Sequence, residues 1–279
     1  MPSPLTVLID SWRADPLVWL HRAEARAIVA ELRAAGRAVS VAAFDRNRLP
    51  ETAPILLRLS DPVMVDAAQA LEAAAVVYRG PGAAALERCY DKWRAYGTVS
   101  AVGVDCPETR LAVDADGLAR PLVLKPRRGS DSIGLRILRT GPVPSTLTNE
   151  TTLAQPQIFG TELTIAVIDG IAGNPLRLEL PERVPYTFLR KYLQRPKRAP
   201  VADRVLAARA QQTALAAARA LGVDWAARVD FIHERVSGRL LFFECDAAPL
   251  VGPASAFAAS LASGGMRRAE QLARLLGEL

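Results

Sequence analysis

Leu122-Val-Leu-Lys-Pro-Arg-Arg-Gly-Ser-Asp-Ser-Ile-Gly134 passes from apolar to basic to small and polar within thirteen residues. The apolar start predicts a strand over 122–125 that delivers Lys125 to the mouth of a Gly/Ser loop. Successive backbone N–H groups in such a loop can surround phosphate oxygens, and a loop of this kind can close over a nucleotide and exclude water. The same residues also read as a solvated turn between two strands, and the segment alone does not choose between the two.

Further along, strands are predicted around Arg228–His233 and Arg239–Asp246, joined by a turn at Val236-Ser-Gly238. Period-two alternation puts Arg228 and Asp230 on one face of the first strand and Glu244 and Asp246 on one face of the second. If the turn sets an even register, all four project together. Three carboxylates meeting beside one arginine are costly unless a divalent cation enters, and an oxygen-only set suits Mg2+ with phosphate oxygens completing its shell. The alternative is the hydrophilic face of a half-exposed sheet with an Arg228–Glu244 cross-strand pair. Glu162, in Phe159-Gly-Thr-Glu-Leu-Thr164, begins another strand, predicted over Thr161–Ile168, where it caps a turn or accepts from a ribose.

Toward the N-terminus, strands are predicted at Leu5–Ile9, Val39–Phe44, Pro54–Leu59 and Val76–Tyr78. A helix from Arg22, stopped by Gly36, and one from Asp61-Pro62 to about Ala74 alternate with them, which implies a small parallel α/β domain. It ends near the Arg79-Gly-Pro-Gly82 turn. Next comes a helix carrying Tyr90-Asp91-Lys92-Trp93, then short strands over 122–125, 134–138 and 161–168 of antiparallel character. An alanine-rich helix is predicted from the cap Asp203 to Leu221, closed by Gly222, and a last helix over Met266–Leu276.

The chain has 279 residues, 50% apolar and 23% charged, which excludes disorder and fibres. Its net charge of +6 is scattered, which favours a small anionic ligand over nucleic acid. Only four of the 35 basic residues are lysines (Lys92, Lys125, Lys191, Lys197), so each is a candidate for a site where arginine would not serve, although Lys191 taken alone reads as a surface lysine and Lys92 as a solvated helix residue. Three unpaired cysteines fit neither a disulfide framework nor a zinc site. Charged residues interrupt Leu5–Ile9 too soon for a signal peptide, and no window reaches about 18 apolar residues, so the expected location is cytoplasmic, without a membrane partner. The Walker phosphate loop, Gly-x-Gly-x-x-Gly, Gly-x-Ser-x-Gly and His-Glu-x-x-His are all missing, and two histidines give a His-based triad little to draw on.

Taken in order, the quoted segments, with Tyr186 through Lys191-Tyr192, Leu221-Gly222 and Phe243-Glu-Cys-Asp246, resemble the ATP-grasp superfamily, and within it the D-alanine–D-alanine ligase branch. They span about residues 90–257. The resemblance implies an α/β (α+β) ATP-grasp fold in three parts: an N-terminal Rossmann-like pre-ATP-grasp domain over 1–86, a small lid domain over 87–158 and a C-terminal domain over 159–279. It implies ATP and Mg2+ as cofactors, amino-acid or peptide substrates, and often a homodimer. Carried over by residue, Lys92 and Lys125 contact ATP phosphates and the adenine edge, the backbone at Gln157 and Ile158 faces adenine, and Glu162 holds ribose. Asp230, Glu244 and Asp246 bind Mg2+, while Arg228 stabilises the acyl-phosphate and the tetrahedral intermediate. Lys191 neutralises the transferred phosphate, and the loop from Gly129 to Ile133, with Ser132 in it, closes over it. Asp131, Tyr192 and Ser255 fall at substrate positions. In this superfamily a carboxylate takes the γ-phosphate and an amine then captures the acyl group.

The sequence also departs from that branch. Ile9-Asp10-Ser11-Trp12 replaces a Gly-rich turn and the glutamate that grips the first amine, and Glu24 lies too far along for that role. Asp246 replaces asparagine, Leu250 replaces the glycine whose backbone approaches the oxyanion, Ala256 follows Ser255 where leucine is usual, and Asp131 replaces serine. The alternatives are therefore an ATP-binding protein that has lost ligation and a scaffold without a ligand.

Overall fold

The computed structural model describes residues 4–12, 15–50, 54–61, 63–129, 133–147, 150–179 and 197–279. Three sheets organise the chain. In the first, β1 (Leu5–Ile9) lies between β2 (Val39–Ala43) and β3 (Ile55–Arg58), both parallel to it. Helix α1 (Pro16–Ala34) packs Ala25, Ile28, Val29 and Leu32 against β1, while α2 (Val63–Ala73) and α3 (Ala83–Tyr90) cover the other face. Strands buried on both faces read as continuous apolar runs, which is why Leu5–Ile9 and Ile55–Leu57 were legible.

The second sheet is antiparallel, in the order β4 (Arg110–Leu111), β7 (Thr152–Pro156), β5 (Leu122–Pro126), β6 (Arg136–Leu138). The third runs β11 (Arg198–Pro200), β10 (Leu176–Leu178), β8 (Gly160–Ile168), β12 (Ala226–Glu234), β13 (Leu240–Asp246), with β9 (Ile171–Ala172) on β8. One face of this sheet is apolar. Leu163, Ile165, Val167, Val229, Phe231 and Phe242 meet α4 (Lys92–Ser100) and the alanines of α5 (Arg204–Ala220) there. Small residues on α5 let the helix lie close to the sheet. Its cap is as expected: Asp203 accepts from Val205 and Leu206 N–H at 2.9 and 3.1 Å, and Gly222, at φ 72°, ends it. Helices α6 (Ala256–Ser263) and α7 (Arg268–Leu276) join Ile168 and Trp225 to the core of α1 and β1. No helix among the described residues is long and apolar enough to cross a membrane.

Several expectations are corrected. The first helix begins at Pro16, not Arg22, because Asp15 accepts from Leu17 N–H at 2.8 Å and Pro16 suits the first turn. Val76–Tyr78 is not a strand: Ala75 turns the chain at φ 54°, and the segment meets β3 only at the Leu56–Arg79 bridge. The single helix through Tyr90–Trp93 is two helices. Asp91, at φ −90° and ψ 95°, ends α3 and caps α4 by accepting from Arg94 N–H at 3.2 Å. Helix α6 was not foreseen at all.

Candidate active site

The polar face of the third sheet carries the carboxylates. Arg228 pairs with Asp246 and Asp230 with Glu244 across β12 and β13, so the even register holds along this stretch before a bulge after Asp230. The guanidinium of Arg228 stands between all three acids: Nε is 3.0 Å from Asp230 Oδ2, and its two terminal nitrogens are 3.3 Å from Glu244 Oε1 and 3.2 Å from Asp246 Oδ2. From β8, Thr164 Oγ1 donates to Asp230 Oδ1 at 2.6 Å, and Glu162 lies two residues along, on the same face. Asp246 Oδ1 also accepts from Ala248 N–H at 3.1 Å.

Lys125 comes to this face from the second sheet. It is only 4% exposed, and Nζ donates to Tyr96 Oη at 2.7 Å, a hydroxyl that in turn donates to Phe243 O at 2.8 Å. The ammonium also lies 4.6 Å from the Phe243 ring centre and 5.1 Å from that of Tyr96. Burial, then the positive charge of Lys92, pushes Lys125 down to about 7, while Glu244 pulls the other way. Lys125 is thus set against Phe243, the neighbour of Glu244 in β13, and feels the charges of both Lys92 and Glu244. Lys92 opens α4 and donates from Nζ to Gly129 O, at the start of the Gly/Ser loop.

Asp91, beside it, escaped sequence reasoning. It is fully buried and takes three hydrogen bonds from Arg127, at 2.8–3.1 Å. Burial works against its ionisation most strongly, but the bonds from Arg127 and Arg94 outweigh that and hold the carboxyl below the usual range. This pair fixes the start of α4 to the end of β5, and so sets Lys92 relative to Lys125. The only signal was the run Asp91-Lys92 and Arg127-Arg128, two charged pairs with no obvious reason to meet.

Gln157 and Ile158 lie in the connection from β7 to β8, where the chain passes between the second and third sheets, and Gln157 N–H donates to Pro121 O at 2.7 Å. Ser255 is the cap of α6, its Oγ accepting from Ala258 N–H at 3.0 Å. Asp131, Ser132, Lys191 and Tyr192 lie outside the described residues. Asp230, Glu244 and Asp246 offer only oxygen, the donor chemistry that a hard cation takes, but all three face the Arg228 guanidinium. As they stand, these acids are turned to Arg228. Among the described residues no group of three His, Cys, Asp or Glu is disposed to hold a metal ion.

A family model described as an ATP-grasp domain matches residues 89–182, and solved structures match the whole chain. The D-alanine–D-alanine ligase of Bacillus anthracis superposes with a TM-score of 0.80 over 99% of this chain and 96% of that one, at 18% identity. The VanG D-Ala:D-Ser ligase of Enterococcus faecalis gives 0.80 over 100% and 99%, also at 18%. The chain has the ATP-grasp fold. By sequence, this ATP-grasp chain is similar to the D-alanine–D-alanine ligase of Nitrosomonas eutropha, 29% identical over 197 residues, and to that of Azorhizobium caulinodans, 31% identical over 180. The matched stretch covers 64% of this chain and 63% of the Nitrosomonas eutropha protein, and 59% and 58% in the second case.

Proposed function

We propose that this chain is an ATP-dependent carboxylate–amine ligase, an amino-acid or dipeptide ligase of the D-alanine–D-alanine ligase type that forms an amide or peptide bond through an acyl-phosphate. The observation that carries this reading is the Arg228 guanidinium set among Asp230, Glu244 and Asp246 on one sheet face, with Lys125 of the neighbouring sheet buried against Phe243, the residue before Glu244. Phosphoryl transfer needs positioning and neutralised charge rather than a protein nucleophile, and this face supplies both. We keep the division at residues 86 and 158, with α4 packed against the third sheet, and a cytoplasmic location.

In this reading ATP lies between the second and third sheets. The backbone of Gln157 and Ile158 faces adenine, Glu162 accepts from the ribose hydroxyls, and Lys92 and Lys125 meet the phosphates. A ligand that brings negative charge to Lys125 restores the proton that burial disfavours. Asp230, Glu244 and Asp246 would hold Mg2+, which supplies charge neutralisation at the phosphate oxygens. Arg228 stabilises the acyl-phosphate and the tetrahedral oxyanion, Lys191 and Ser132 act on the transferred phosphate, and Asp131, Tyr192 and Ser255 contact substrate. The Ser255 hydroxyl, while capping α6, keeps its proton to give to a carboxylate.

Hydroxylamine in place of the second amine tests acid activation directly. With Mg-ATP and a panel of D- and L-amino acids, the expected result is an amino-acid hydroxamate formed in step with ADP. ATP binding without hydroxamate from any acid would favour the reading in which ligation has been lost, as Leu250 and Asp246 suggest.

A further inference from the structure

The loop after Asp246 is held by residues from the opposite end of the chain. Glu24, on α1, accepts through a single oxygen, Oε1, from Val251 N–H at 2.6 Å and Gly252 N–H at 2.8 Å. Its other oxygen takes Arg58 Nε at 3.1 Å, and Arg58, the last residue of β3, donates a second nitrogen to Pro249 O at 2.8 Å. Arg58 is 0% exposed and the Glu24 side chain 8%. Gly252 leaves the room for this, since a Cβ there would stand 3.3 Å from Glu24 Cγ.

Burying such a pair is a poor way to gain stability, because desolvation offsets most of the attraction. What the pair does is geometric: it fixes the loop at three backbone groups, three to six residues beyond the last carboxylate of the triad. Within 248–252, Ala248 N–H goes to Asp246, proline has no N–H, and Val251 and Gly252 go to Glu24. Among the described residues the Leu250 N–H meets no acceptor.

We infer that Glu24 and Arg58 are positioning residues for the proposed ligase site, holding the 249–252 loop in register with Arg228 and Asp246 so that the Leu250 amide is presented to the bound acid. This rests on the ligase reading. Neither residue touches the reacting atoms.

The test uses full-length double variants, since either single change strands a buried charge. Glu24→Leu/Arg58→Met removes both charges and the acceptor, whereas Glu24→Gln/Arg58→Met keeps an amide oxygen for the two N–H groups. Phosphate release is measured with Mg-ATP and the amino-acid panel, alongside amide hydrogen exchange. The expected result for the Leu/Met variant is a folded protein with an unchanged KM for ATP, faster exchange at Val251 and Gly252, and kcat at least about tenfold lower. The Gln/Met variant should regain several-fold of that loss. Parental kcat in the Leu/Met variant, or equal losses in both variants, would overturn the assignment. A parent that releases no phosphate with any acid overturns the ligase reading itself, and the positioning role with it, before any variant is made.

Discussion

Replacing Lys125 by methionine is expected to cut phosphate release severely while leaving the protein at least as stable as the parent. Burial and the nearby Lys92 oppose the charge of this ammonium more strongly than Glu244 and the Tyr96 and Phe243 rings favour it. Methionine fills much the same volume without that charge, and so removes the desolvation cost that burial imposes on the ammonium. Tyr96 still donates to Phe243 O. Turnover should nevertheless fall by about 100-fold or more, the usual cost of losing one fixed donor to a developing charge.

The pH dependence has a definite sign. Lys125 titrates near 10.5 in the unfolded chain and at about 7 when folded, so between these limits the unfolded chain binds more protons and stability from this group rises with pH. Below about 7 its burial penalty is fully present. Denaturant unfolding of parent and variant across that window should show the parent gaining stability relative to Lys125→Met as pH increases. A variant that keeps parental turnover would remove Lys125 from the phosphate site.

Arg228→Met is expected to have an effect of at least the same size. It leaves Asp230, Glu244 and Asp246 facing one another without their shared cation, so the melting temperature should fall at neutral pH. Phosphate release should drop by about 100–1000-fold, because the charge proposed to meet the oxyanion is gone. The same change frees the carboxylates for a metal. Mg2+ alone should therefore raise the melting temperature of the variant, and raise that of the parent far less, since in the parent the guanidinium competes for the same oxygens. Equal Mg2+ responses in the two proteins would argue against these three acids as the cation's ligands.

The parts of the fold that could be read in the sequence are those whose signals are local. Helix α5 declared itself through Asp203 and Gly222, and the β12–β13 pair through its period of two and its short turn. The carboxylate face followed from that alternation alone. The Asp91 break stayed hidden because Tyr90, Lys92 and Trp93 continue a helical composition, and only the bidentate bond to Arg127, 36 residues away, gives the break a purpose. Helix α6 was missed because Ala256–Ser263 is nearly all small and apolar, with no polar face to set its period. Glu24 and Arg58 were out of reach for a similar reason: their partners lie 227 and 191 residues along the chain.

The reaction proposed for this site joins an acid to an amine at the expense of ATP. Its most direct test is phosphate release from Mg-ATP across D- and L-amino acids, singly and in pairs, with mass analysis of every positive mixture. The expected result is release that depends on a pair, and a product lighter by one water than the two amino acids together. Measurable ATP binding with no pair-dependent release and no condensed product would contradict it.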